Sequence, residues 1–177
     1  MTADEFVQKW RTHSLNEIQS AQPFFLDLCA LVAHDTPAQL DPAGDFFAFE
    51  KRVRKLDGSS GRADVWFKHH FAIEVKERGR DLAKAYRQLL EYREDLLNPP
   101  LLVVTDTWHI QIHTNFTGTV KQQHNFTIED LRMPEGMRTL CSLVEAHNSV
   151  NNQMHTTQVT DAAKRKTVAQ GWGLDEL

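Results

Sequence analysis

The chain has little of several things, and each shortage excludes a class. Among 177 residues there are two cysteines, Cys29 and Cys141, and both sit inside apolar helical patterns. A disulfide-stapled secreted scaffold is therefore excluded, and two thiols in a reducing compartment are expected. No apolar run approaches the roughly 20 residues of a membrane-spanning helix. The first residues, Met1–Glu5, are polar and acidic rather than basic and then apolar, so no secretory signal is expected and the cytoplasm is the expected location. There is no excess of positive charge: 20 Lys and Arg stand against 24 Asp and Glu, a net charge of −4. A protein that grips nucleic acid by itself is usually basic. Here the basic residues must either gather on one face or be helped by another domain. Two local groups exist, Lys51, Arg52, Arg54 and Lys55, then Lys76, Arg78 and Arg80. No repeat or low-complexity tract is present.

What is there reads as one α/β domain, with a central mixed β-sheet flanked by helices, over residues 1–147. Residues 148–177 change to Asn, Gln and Thr, and are expected to be a polar linker or the start of a helical connector. Thr2 with Glu5 and Ser14 with Glu17 have capping-box spacing, predicting two helix starts. Pro23 inside the second helical stripe predicts a kink or a restart. Pro37, Pro42 and Gly44 predict a loop over 34–45. Strands are expected at 46–51, 62–67, 71–76, 101–105, 108–112 and 119–124. A helix is expected over 81–97, stopped by Asn98-Pro99-Pro100. Thr127 with Asp130 predicts a short helix, and Pro134 the first turn of another.

The chemistry lies in one spacing: Asp64, then Glu74, then Lys76. Residues two apart on a strand share a face, so Glu74 and Lys76 point together. If the strands at 62–67 and 71–76 pair through a turn at Lys68-His69-His70, Asp64 stands opposite Glu74, with Cβ atoms about 4.5–5.5 Å apart. Two opposed carboxylates repel unless a cation sits between them, and Mg²⁺ takes such oxygen ligands together with water and phosphate. An ammonium on the same face can hold water or meet charge on a phosphorane. These residue types assemble a metal-dependent phosphodiester hydrolase.

Ala63-Asp64 followed by Glu74-Val75-Lys76 resembles the PD-(D/E)XK nuclease motif, with alanine at its proline position. Gln88 and Tyr92 match the QxxxY element of many such nucleases. More narrowly, residues 1 to about 165 resemble the N-terminal endonuclease domain of MmeI-like (type IIL) restriction-modification enzymes. The carrying stretches are Met1-Thr2-Ala3-Asp4-Glu5-Phe6, Phe49-Glu50-Lys51, Ala63-Asp64-Val65-Trp66, Asn98-Pro99-Pro100-Leu101-Leu102 and Ile112-His113-Thr114-Asn115. The resemblance implies a restriction-endonuclease-like fold and a Mg²⁺-dependent DNA endonuclease, with Mn²⁺ able to substitute. It implies Asp64, Glu74 and Lys76 as catalytic residues, and Asp64, Glu74, the Val75 carbonyl and Glu50 as metal ligands. Gln88, Tyr92 and Lys84 are then supporting or DNA-proximal. Double-stranded DNA is the implied partner, with methyltransferase and target-recognition domains in the same polypeptide or system and dimerisation on DNA. The alternatives are a catalytically silent docking module of the same fold, or a nuclease acting on RNA or branched DNA. Asn98-Pro99-Pro100 carries Leu101 where an adenine methyltransferase has an aromatic residue, and no Gly-rich loop precedes it, so it reads as a helix terminator. No Cys/His spacing fits zinc.

Overall fold

The structure is a computed structural model that describes residues 1–13, 16–55 and 58–141. The expected linker at 148–177 lies outside the described residues. Three helices come first: α1 (Ala3–Arg11), α2 (Glu17–Val32) and the single-turn α3 (Pro37–Leu40). Strands β1 (Phe47–Arg54), β2 (Ser60–Phe67) and β3 (Phe71–Val75) follow, then α4 (Leu82–Tyr92). Strands β4 (Leu101–Thr105), β5 (His109–Thr114) and β6 (Gln123–Thr127) lead to a 3₁₀ turn, Ile128–Arg132. Helical backbone resumes at 134–141. Among the described residues no helix is long and apolar enough to cross a membrane.

The six strands lie in sequence order, and every neighbouring pair is antiparallel except β3 with β4. A parallel pair needs a crossover, and α4 supplies it. This is the central mixed sheet flanked by helices expected from the sequence, with the expected helix, three strands, helix, strand order. The run Leu101–Thr105 is buried throughout, as a central parallel strand should be.

Each face of the sheet has its own apolar layer. On one face, Leu82, Ala85, Leu89 and Tyr92 form the stripe of α4 and pack with Ala63, Trp66, Ala72, Leu102 and Val104. The Trp66 indole N–H donates to the Leu96 carbonyl at 2.9 Å, so its one polar atom is satisfied inside this layer. On the other face, Phe25 of α2 meets Phe47 edge-on and Phe71 at a tilt, and Phe47 stacks on Phe67 at 4.3 Å. Full burial of each such side chain contributes about 1.5–3 kcal/mol.

Local expectations fare unevenly. The Thr2–Glu5 capping box forms and opens α1. The second start is corrected to Asn16, which caps α2 with its side chain accepting from the Gln19 N–H at 3.0 Å, while Ser14 lies outside the described residues. Pro23 does not restart the helix, which runs unbroken around it. The loop at 34–45 holds one helical turn with Pro37 at its start. Helix α4 ends at Tyr92 rather than 97; turns follow it and lead into left-handed backbone at Leu97 and Asn98 (φ 64° and 49°) ahead of Pro99. β6 begins at Gln123 rather than 119, since a turn with Gly118 at φ 76° and the Thr114–Gln122 hydrogen bonds occupies the intervening residues. Both described cysteines are free thiols.

One carboxylate ties the loop after β3 to the β4–β5 turn. Buried Asp106 accepts from the backbone N–H groups of Gly79, Trp108 and His109 and lies 3.2 Å from the His109 ring nitrogen. Burial opposes its charge, yet these donors hold its pKa below the usual aspartate value. A depressed acid stabilises the fold above its unfolded pKa, and that contribution is lost as pH falls through the folded value. Asp106→Asn is expected to cost about 2 kcal/mol at neutral pH. In thermal melts, the difference from the wild type should close below about pH 4.

Candidate active site

The site forms where β2 and β3 part. Their ladder pairs Phe67 with Phe71, Trp66 with Ala72 and Val65 with Ile73. Continuing this register sets Asp64 opposite Glu74, as the strand parity predicts, but the ladder ends one pair earlier. The Val75 N–H donates to Asp64 Oδ2 at 2.6 Å. Ala63 and Trp66 both pack in the α4 layer, so the alternation of β2 breaks between them, at Asp64 and Val65. The backbone beyond is held from the other side, where the Lys76 N–H donates to the Thr105 carbonyl at 2.7 Å.

Glu74 is 2% exposed, on a strand otherwise lined by apolar side chains. Its Oε1 accepts from Lys76 Nζ at 2.8 Å and from Gln88 Nε2 at 2.6 Å. Its Oε2 is buried without a hydrogen-bond partner among the described residues. Lys76 Nζ also reaches Glu17 Oε1 at 2.8 Å. Burial first, and the Asp64 charge second, push Glu74 up to about 8 against the pull of Lys76. Burial pushes Asp64 up to about 6, opposed by the Val75 N–H and by Lys76. Burial opposes the charge on Lys76, but Glu74 and Glu17 together hold its pKa above the usual lysine value.

Helix α4 explains the Gln88–Tyr92 spacing. Four residues apart, they share one helical face. Gln88 reaches Glu74, and a hydrogen bond joins Gln88 to the Tyr92 side chain. Tyr92 lies close against backbone: a Cβ on Gly61 would lie 2.7 Å from the Tyr92 hydroxyl, so a side chain there would have to displace the tyrosine ring. Lys84 lies one turn before Gln88, exposed, with no side-chain partner among the described residues.

Glu50 sits opposite Asp64 in the β1–β2 register. Phe49 pairs with Val65 and Lys51 with Ala63, and Glu50 fills the gap with a left-handed φ of 53°. Its carboxylate pairs with Arg62 at 3.0 Å, and its charge raises the Asp64 pKa. The structure thus brings Asp64, Glu74, Lys76 and Gln88 together, sets Glu50 beside them on an ion pair of its own, and leaves Lys84 in solvent. Glu17 is the addition. Its spacing from Ser14 reads as a capping partner, whereas its carboxylate holds Lys76 across 59 residues, a separation no local pattern encodes. His109 and His113 serve elsewhere, the first against Asp106 and the second stacked on Tyr86 at 3.6 Å.

Among the described residues no cluster of three or more His, Cys, Asp and Glu side chains is arranged as a metal cage. Two depressions, of about 900 and 590 Å³, are lined by other residues, from Gln123 to Thr139 in the first and around Gly79, Asp106 and His109 in the second.

The sequence model of the family described as "MmeI, N-terminal domain" matches residues 1–167. No curated protein matches the chain. A chain of a cryoEM structure of a DrdV–DNA complex is similar over 81% of this chain, with 12% identity and a TM-score of 0.41; the match spans 13% of that much longer chain.

The paired acids carry a pH signature. Acids whose folded pKa is raised bind extra protons in the fold, so stability falls as pH rises from the unfolded value toward the folded one. In EDTA, the wild-type melting temperature should fall between pH 4.5 and 8. Glu74→Gln should flatten the curve above about pH 7, where Asp64, raised to about 6, is mostly ionised, and should melt higher than the wild type at pH 8. Parallel curves would refute this account of Glu74.

Proposed function

The chain belongs to the MmeI N-terminal domain family, and from that premise we propose that it is the Mg²⁺-dependent DNA-cleaving module of a type II restriction-modification system. Family membership supports a nuclease-like module of a restriction system. The observation that carries the finer reading is the buried Glu74 Oε2 without a hydrogen-bond partner, next to Asp64 and Lys76. A carboxylate oxygen so placed is costly unless something positive meets it. Mg²⁺ is commonly held by one or two carboxylates plus water and substrate phosphate rather than by a full protein cage. Two acids therefore suffice, and the donor set fits. Asp64, Glu74 and the Val75 carbonyl would hold the ion, with Glu50 joining if Arg62 releases it. Mn²⁺, with the same liking for oxygen, can substitute.

When bound, the ion supplies a more acidic water and neutralises charge on the phosphodiester. The protein's own groups do the rest. Lys76 presents an ammonium that holds the attacking water and meets negative charge as it grows on the phosphoryl oxygens. Gln88 fixes the orientation of Glu74, and Tyr92, seated against Gly61, fixes Gln88. Asp64 is aimed by the Val75 N–H. Lys84, exposed on the same helix, would touch a neighbouring phosphate in this reading. Methyltransferase and target-recognition partners supply most of the DNA affinity in this reading, which suits a chain of net charge −4. Cutting both strands takes two sites, so dimerisation on DNA follows.

Plasmid cleavage in Mg²⁺, with the partner domains present, tests the proposal. Asp64→Ala and Lys76→Ala should each lower the rate at least about 100-fold; undiminished cutting by either would sink it. Glu50 is separable from the pair because its backbone is strained. Glu50→Gly relieves a left-handed conformation that costs a residue with a side chain about 1–2 kcal/mol. The variant should melt higher than the wild type and cut more slowly. A higher melting temperature with unchanged cleavage would remove Glu50 from the ligand set.

A further inference from the structure

We propose that the outer face of the β1–β2 hairpin is a contact surface for the phosphodiester backbone of duplex DNA, carried by Arg52, Arg54 and Arg62. The proposal rests on the nuclease reading and extends it from the reacting phosphate to the strand beside it. β3 pairs with β2 only over Val65–Phe67, whereas β1 continues along β2 to Ser60. Residues Lys51–Arg54 and Ser60–Ala63 therefore form a two-stranded ribbon beyond the β3 ladder.

The two faces of this ribbon differ. Lys51 Nζ lies 4.2 Å from the centre of the Trp66 ring, Val53 is buried in the α4 layer, and Lys55 Nζ lies 5.6 Å from the Tyr92 ring. These alternate residues anchor one face. The other face presents Arg52 and Arg54, both exposed, with Arg62 directly opposite Arg52. Like charges placed directly across a sheet are destabilising. Arg62 has Glu50 for a partner. Arg52 and Arg54 have no carboxylate on their guanidinium groups among the described residues, since the Arg54 contact with Asp95 runs through its backbone N–H. This triad is no by-product of a basic composition, because the chain carries net charge −4. It is also continuous with the acids, as Arg62 pairs with Glu50 and Glu50 faces Asp64. Guanidinium groups hold phosphate in two-pronged fashion, and a polyanion laid along the ribbon removes the repulsion that the sheet otherwise bears.

The test is anisotropy of a labelled DNA duplex with the full chain, in EDTA so that nothing is cut, over roughly 50 to 200 mM NaCl. Arg52→Gln with Arg54→Gln should weaken binding about tenfold at the low-salt end and reduce the slope of log K against log[NaCl] by about 2. Arg138→Gln, a charge removed elsewhere on the surface, should leave that slope unchanged. The double variant should melt no lower than the wild type, because it loses repulsion and no partner. The proposal is overturned if the double variant keeps the wild-type slope, if Arg138→Gln lowers it equally, if the wild type does not bind duplex, or if polyglutamate displaces the duplex as well as unlabelled DNA does. Binding is read here in EDTA, separately from cutting. Failure of cleavage thus bears on the nuclease reading alone, and failure of binding on the ribbon.

Discussion

The arrangement depends on one ammonium group. Glu74 lies inside the protein within the electrostatic reach of Asp64, and both acids are pushed toward their neutral forms by burial. Lys76 Nζ is the positive charge that Glu74 touches, and Glu17 at the start of α2 shares it. Two carboxylates at a strand end are tolerable because this ammonium lies against them. The same requirement explains why the site needs elements from across the fold. β2 supplies Asp64, β3 supplies Glu74 and is followed directly by Lys76, α2 supplies Glu17 and α4 supplies Gln88.

Much of this was legible in the sequence, and the legible part shares a cause. Period-two alternation set Glu74 and Lys76 on one face, and the three-residue turn at Lys68-His69-His70 fixed the register that brings Asp64 toward them. Four-residue spacing put Gln88 and Tyr92 together on α4. These are short-range rules, and they held. What sequence reasoning missed depends on distant partners or on backbone detail. Glu17 meets a residue far along the chain, so its spacing from Ser14 pointed to a local cap. In the structure Asn16 fills that role and frees the carboxylate. The left-handed backbone at Glu50 and the broken alternation at Asp64 are departures from regular pleating, and no residue pattern announces them. The early end of α4 is intermediate: Pro99 signals a stop, but the helix gives way to turns already after Tyr92.

The irregularities cluster around the acids. A residue with a side chain rarely adopts the conformation of Glu50, and such strain persists where surrounding structure imposes it. Here it lets Lys51 and Val53 face the α4 layer while Phe47 faces α2, so the outer part of the hairpin turns over relative to the inner part. One ribbon thereby contributes to both apolar layers of the sheet and still presents arginines to solvent.

The lone parallel pairing, β3 with β4, has a consequence for how the chain matures. A hairpin can close as soon as its two strands exist, but β3 cannot gain its second neighbour until the α4 crossover and β4 have both been made. Until then Gln88 has no fixed place over Glu74, and the Lys76 backbone lacks the Thr105 carbonyl that anchors it. Links across such sequence distances form late in folding. A nascent chain on the ribosome therefore carries the acids long before it carries a working geometry. For a protein proposed to cut DNA, competence arrives only with the finished fold.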